Sequence, residues 1–298
     1  MKTKQLLIGI LISGTALLSC KKKDNKPEPT PVSTTTNLTL NLSGLDDLGN
    51  DFVYEGWIIV NGSPVSTGTF TSITFPQTFT VNSSDLSIAT KFVLSIEPKV
   101  DTDPSPSATK VLVGDFSGNT ATLGSGTIGD FSNIGGKYIL ATPTNGAMTD
   151  ENSGIWFLDL VGTTPMTGLT LPTLPSGWIY EGWAVINGTP VSTGTFTNLN
   201  ATDNSSPFSG TDALGMPNGS DGFFPGEDFL LNAPSGLTFP TDLSGGKAVI
   251  SIEPVPDNSP MPFTLKPLVG SIPTSAADHT TYDMTPNVAS FPTGSVTR

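Results

Sequence analysis

Eighteen residues of this chain occur twice. Tyr54 to Thr71 reads YEGWIIVNGSPVSTGTFT and Tyr180 to Thr197 reads YEGWAVINGTPVSTGTFT, with 14 of 18 positions identical and three of the four differences between similar residues. A second echo follows each copy: VLSIEPKVDTDPSPS from Val93 and VISIEPVPDNSPMPF from Val249, leading to Leu-Val-Gly at Leu112 and Leu268. The tyrosines stand 126 residues apart and the glutamates of the Ile-Glu-Pro motif 156, so the second copy holds about 30 extra residues between its motifs. Such a duplication constrains the fold strongly, because each copy must be a unit with its own core and the whole a pair of units.

Within each copy the local signals are those of strands. Asn61-Gly62 and Asn187-Gly188 separate an apolar run from Pro-Val-Ser-Thr-Gly-Thr-Phe. Asn-Gly accepts the positive φ angles of a two-residue I′ turn, so each repeated segment is expected to form a β-hairpin. Gly56 and Gly182, inside the incoming strand, imply a bulge or a close backbone approach. A third strand, FVLSIEP or AVISIEP, ends at a proline that cannot donate to a ladder and restricts the residue before it. KVLVGDF and LKPLVGSI supply a fourth. Side chains alternate along a strand, which places Glu55 and Trp57 on one face and Tyr54, Gly56 and Ile58 on the other.

GGKYILATPT and SGIWFLDL are the opening strands expected of the second unit, with NLTLNL in a comparable place in the first. Charged residues make up only 13% of the chain, against 32 Gly and 26 Pro, and the apolar runs are short and punctuated by turn residues. That pattern belongs to an all-β protein, here two tandem β-sandwich-like domains. The first spans 37–131 and the second 132–285, with a loop inserted at about 200–236 and a tail at 286–298.

The N-terminal segment points out of the cytoplasm. Lys2 and Lys4 precede LLIGILISGTALL, too short to span a bilayer, since a spanning helix needs about 20 apolar residues. Residues 1–20 therefore form an export signal. Its Leu-Leu-Ser-Cys ending resembles a bacterial lipobox, in which Cys20 becomes the lipid-modified first residue. Cys20 is the only cysteine, so an internal disulfide is impossible and its thiol is available for lipid. The Lys- and Pro-rich residues 21–36 bury nothing and form a stalk. The expected location is the cell envelope, on the periplasmic or surface side of a membrane. The formal charge of −13 becomes −15 once Lys2 and Lys4 leave with the signal, and no Lys/Arg cluster lies beyond the stalk, which excludes nucleic acid as a partner.

The Tyr-x-x-Trp strand (Tyr54, Trp57; Tyr180, Trp183), the Pro-Val-Ser-Thr-Gly-Thr-Phe strand and the Glu-Pro strand end (Glu97, Glu253) together resemble the extracytoplasmic domain of the anti-sigma-K factor family. The resemblance covers Tyr54 to Pro106 and Tyr180 to Pro262. It implies a β-sandwich module outside the cytoplasm and, by analogy, a part in envelope sensing. Members of that family act on a sigma factor through a cytoplasmic helical domain and a spanning helix, where this chain has a lipoprotein signal. Comparable tandem modules occur in lipoproteins of Bacteroidetes-like bacteria, and the chain looks like one of these.

Candidate chemistry is sparse. Nucleophilic catalysis needs a base, and His279 is the only histidine. His/Cys metal clusters are absent. Asp101 and Asp103, or Asp221, Glu227 and Asp228, supply oxygen ligands without the spacing of an EF-hand, so no metal or cofactor is expected. Glu55, Glu97, Glu181 and Glu253 recur in both copies, as two opposed glycosidase carboxylates would not need to, and are assigned to folding. In that assignment Trp57 and Trp183 fill the sandwich cores while the glutamates bond nearby backbone or hydroxyl groups. The candidate ligand-binding set is Trp156, Trp178, Phe223, Phe224, Glu227 and Asp228, where exposed aromatics would stack on sugar rings. The leading expectation is a non-enzymatic lipoprotein that contacts an envelope protein or polysaccharide.

Overall fold

Strands account for most of the regular structure, as the alternating sequence requires. The computed structural model describes residues 34–146, 149–162, 164–210, 224–257 and 259–298. The signal, Cys20, most of the stalk, Asp221 and Phe223 lie outside the described residues. The first copy builds β1 (Thr35–Ser43), β2 (Phe52–Val60), β3 (Ser63–Phe70), β4 (Gln77–Asn82), β5 (Lys91–Pro98), β6 (Lys110–Ser117) and β7 (Thr120–Leu123). One short helix, α1 (Ser83–Ile88), starts at an Asn82 whose side chain caps two backbone N–H groups.

The second copy builds β8 (Gly135–Leu140), β9 (Gly154–Trp156), β10 (Leu158–Val161), β11 (Thr164–Thr167), β12 (Leu169–Thr170), β13 (Trp178–Ile186), β14 (Thr189–Phe196), β15 (Gly226–Asp228), β16 (Lys247–Pro254), β17 (Leu268–Ser271) and β18 (Tyr282–Pro286). β19 (Thr293–Thr297) follows. β10 and β11 pair as a separate ribbon.

Two large sheets carry the fold, ordered β3-β2-β5-β6-β7-β19-β1-β4 and β14-β13-β16-β17-β18-β8-β9-β15. Both are antiparallel and nearly closed, with the edge strands β3 and β4, and β14 and β15, brought close to each other. The fold class is therefore all-β, with two sandwich- or barrel-like sheets. Position by position, β2, β3, β5, β6 and β7 match β13, β14, β16, β17 and β18. The strand matching β8 is β19, so residues 286–298 are no tail: β19 lies between β7 and β1, pairing with both. Its sequence, TGSVT, has one large apolar residue, Val296, which is fully buried. Arg298 fixes the end of the strand by donating to the carbonyls of Leu86 (2.7 Å), Ala89 (2.9 Å) and Gly118 (2.9 Å).

The repeated hairpins form as their sequences dictate. Asn61 and Gly62 have φ of 51° and 83°, Asn187 and Gly188 of 52° and 85°, the mirror-image turn that Asn-Gly favours. Both hairpins carry a bulge: Gly56 faces Gly68 and Trp57 faces Ser66, leaving Thr67 as the extra residue, and Thr193 occupies the same place in the second copy. A Cβ on Gly182 would collide with Thr193 Oγ1 and come 2.5 Å from Phe157, which explains the glycine.

Tyr54, Ile58, Phe92, Leu94 and Ile96, with Tyr180, Ala184, Ile250 and Ile252, belong to one apolar core continuous through both sheets. At the seam the contacts are reciprocal: Thr109 Oγ1 donates to Gly177 O (3.4 Å), and Thr264 Oγ1 to Gly44 O (2.8 Å). Gly177 has φ of +92° and sits where a Cβ would be 2.8 Å from Ala108 C, so the close approach requires glycine. No helix among the described residues is long and apolar enough to cross a membrane.

Candidate functional site

The outer face of each hairpin and its third strand carries a repeated polar relay. Because β-strand side chains alternate, Glu181 and Trp183 on β13 share a face with Val249, Ser251 and Glu253 on β16, Glu181 lying opposite Ser251. Trp183 Nε1 donates to Ser251 Oγ (2.7 Å), and Ser251 Oγ donates to Glu253 Oε1. Ser192 Oγ donates to Glu181 Oε1. The chain then turns back, and Phe263 N donates to both oxygens of Glu253, at 3.0 and 3.2 Å.

The first copy repeats the arrangement. Trp57 Nε1 donates to Ser95 Oγ (2.8 Å), Ser95 to Glu97, Ser66 to Glu55, and Ser107 N to Glu97 Oε1 (2.8 Å). The glutamates thus bond hydroxyls and tie down the turn after each Glu-Pro. Trp57 and Trp183 do not fill the cores. Both are buried, but on the opposite face from Tyr54 and Tyr180, because Glu55 and Trp57 share the outward alternation and the indole N–H needs the serine there.

The copies differ in how their acids are placed. In the second, Glu181, Glu253 and Asp257 each bring an oxygen to within 4.8 Å of the others. Burial pushes Glu181 up to about 7 and Glu253 up to about 8, each helped by its acidic neighbours. In the first, Glu55 is half-buried and lines a cavity of about 550 Å³ with Trp57, Lys99 and Asp101. Burial also raises the Glu97 carboxyl.

Between the two sheets runs a cavity of about 740 Å³. One wall is the β1–β2 connection with Asp46, Asp47 and Asp51, and the other is the proline-rich turn from Glu253 to Phe263. Among the described residues, Lys266 is the one basic residue in the lining, against five acids. Its charge acts on Asp46 and Glu253, although burial lowers its own affinity for a proton.

Comparison of the chain with family models, with curated proteins and with solved structures finds no match. The site rests on its own geometry.

Of the residues expected to bind a ligand through exposed aromatics, Trp156, Trp178 and Phe224 are buried, at 2%, 5% and 8% exposure. They hold the structure together and offer no stacking surface. Trp178 packs against Phe263, with ring centroids 6.0 Å apart. Trp156 Nε1 donates to Asp228 Oδ1 (3.0 Å), and Thr144 donates its N–H (2.8 Å) and hydroxyl (2.5 Å) to Asp228 Oδ2. Glu227 accepts from Ser209 Oγ, but its Oε2 is buried with no partner among the described residues. Glu227 and Asp228 are therefore fully buried structural acids of β15, pushed up to about 8 and about 7 by burial. Asp203 beside them, also pushed up to about 7 by burial, accepts from Gly226 N (2.9 Å), which fixes the insertion to β15.

His279 lies half-exposed next to Asp278, its Nδ1 3.2 Å from Asp278 Oδ1. Asp257 was not singled out by the sequence reading. The signal for it is positional: an aspartate follows the Ile-Glu-Pro glutamate by four residues in both copies, as Asp101 and Asp257.

Proposed function

We propose that the chain is an envelope lipoprotein, tethered through lipid on Cys20, that works by contact and not by bond-making. Its contact surface in this reading is the groove between the two sheets, and its partner an envelope protein with an exposed basic segment. The observation that carries this is the lining of the 740 Å³ groove, five acids against one lysine, with rigid prolines on one wall. A formal charge of −15, once Lys2 and Lys4 have left with the signal, adds long-range attraction for a cationic partner. The duplicated modules support the reading too, since the groove needs one wall from each copy. A role in envelope sensing, by analogy with the anti-sigma-K module, would require the partner to carry the signal across the membrane.

A photo-crosslinking residue at Met261, an exposed position in the groove lining, tests this in intact cells. The expected result is a crosslink to one envelope protein that weakens as salt rises and disappears in Asp46→Lys/Asp47→Lys. A crosslink to polysaccharide, or one indifferent to both salt and charge reversal, would remove the reading. The anchor is tested separately by palmitate labelling, which Cys20→Ser is expected to abolish along with membrane retention.

A further inference from the structure

Glu181, Glu253 and Asp257 converge from three points of the second module: the middle of β13, the end of β16 and the turn beyond it. Glu181 is 6% exposed and Glu253 fully buried. Glu181 Oε1 takes the Ser192 hydroxyl, but Oε2 is buried and meets no donor among the described residues. A buried carboxylate oxygen without a hydrogen bond is costly, and buried charges are ordinarily paired or bound to a metal. We infer that these three carboxylates form a binding site for a hard divalent cation, with calcium the best match to an all-oxygen set.

The route in is open. Glu253 and Asp257 line the groove between the sheets, and Asp257 is exposed, so an ion can enter with part of its water shell and meet Glu181 behind them. Lys266 also faces this region. Its ammonium donates to Phe263 O (2.6 Å), and its single charge is shared between Asp46 and Glu253. That one charge acts on two carboxylates, and Glu181 and Asp257 add two more beside Glu253, which leaves a surplus of negative charge for the ion.

The first copy serves as an internal control. Its counterparts are Glu55, Glu97 and Asp101, but the residue two after the glutamate is Lys99 there and Val255 in the second copy. Lys99 lines the same cavity as Glu55 and Asp101, supplying from the chain the positive charge that the second copy takes from solution. The ion site shares Glu253 and Asp257 with the groove proposed above, but its readout, calcium binding by the chain alone, needs no partner.

The test is calcium titration of the full chain in detergent after EDTA treatment, followed by calorimetry, thermal melting and tryptophan fluorescence. Trp183 reports through Ser251, which it touches and which donates to Glu253. The expected result is one calcium per chain, a raised melting temperature and at least tenfold weaker binding in Asp257→Asn and Val255→Lys. Asp101→Asn is expected to bind as the parent does. Val255 is 50% exposed, so the lysine has room and this variant decides the matter if Asp257→Asn folds poorly. Absence of heat and of any melting shift up to about 10 mM calcium, above the range of extracellular calcium modules, would overturn the site. So would full binding by both variants, or loss of binding in Asp101→Asn.

Discussion

The placement of β19 makes a strong prediction through Val296. This side chain is fully buried in the strand that closes the first sheet, opposite Leu40 on β1 and Ala121 on β7. Val296→Ala removes two methyl groups, about 0.8 kcal/mol each in transfer. The space left behind, on the order of 40 Å³, adds about 1 kcal/mol if the walls do not collapse. The expected loss is therefore about 2 to 3 kcal/mol in local opening of the first sheet, a 30- to 150-fold rise in the exchange rate of its slowest amides at roughly 1.4 kcal/mol per tenfold. Native-state hydrogen exchange read by mass spectrometry separates peptides of β1 and β7 from those of β13 and β16. Faster exchange should be confined to the first pair. Equal acceleration in both sheets, or a change below about 0.5 kcal/mol, would refute the assignment of β19 as a local closing strand.

Three further outcomes are expected. Asp203, Glu227 and Asp228 have carboxyls raised to about 7, 8 and 7, so the folded state holds more protons than the unfolded one between the ordinary carboxylate range and pH 8. Stability in EDTA should therefore fall as pH rises from about 5 to 8, and Glu227→Gln should flatten that slope in thermal melts; a rise with pH contradicts the burial of these acids. Gly182→Ala, which drives a methyl group into Thr193 and Phe157, should lower the urea midpoint by an amount equivalent to about 1 to 3 kcal/mol. Gly177→Ala combines a positive φ with a clash against Ala108 and should loosen the seam, seen as faster limited proteolysis at the connections flanking it while both sheets retain their circular dichroism.

The hairpins were legible because their chemistry is local. Asn61-Gly62 can satisfy its φ angles in few other ways, and Gly56 makes room for the Thr67 bulge only one strand away. The alternation that set Glu55 beside Trp57 also held, but an indole suggested a core position, and only the serine on the neighbouring strand shows why it faces outward. What sequence order hides is long-range pairing. Thr293 to Thr297 carries no apolar period, and its partners in β1 lie at the other end of the described chain. The cation triad is hidden for the same reason: Glu181 and Asp257 meet only because β16 runs beside β13 and its turn folds back. Trp156, Trp178 and Phe224 sit near glycines and prolines, which signals loops but not which way a ring points.

The first strand has a mechanical consequence. β1 leaves Thr34 with β4 on one side and β19 on the other, in six and five register pairs. Tension applied through the residues before Thr34 runs along that strand, at right angles to its interstrand hydrogen bonds. The bonds are loaded together in shear instead of parting one after another. A pull from that side meets the sheet where it resists most.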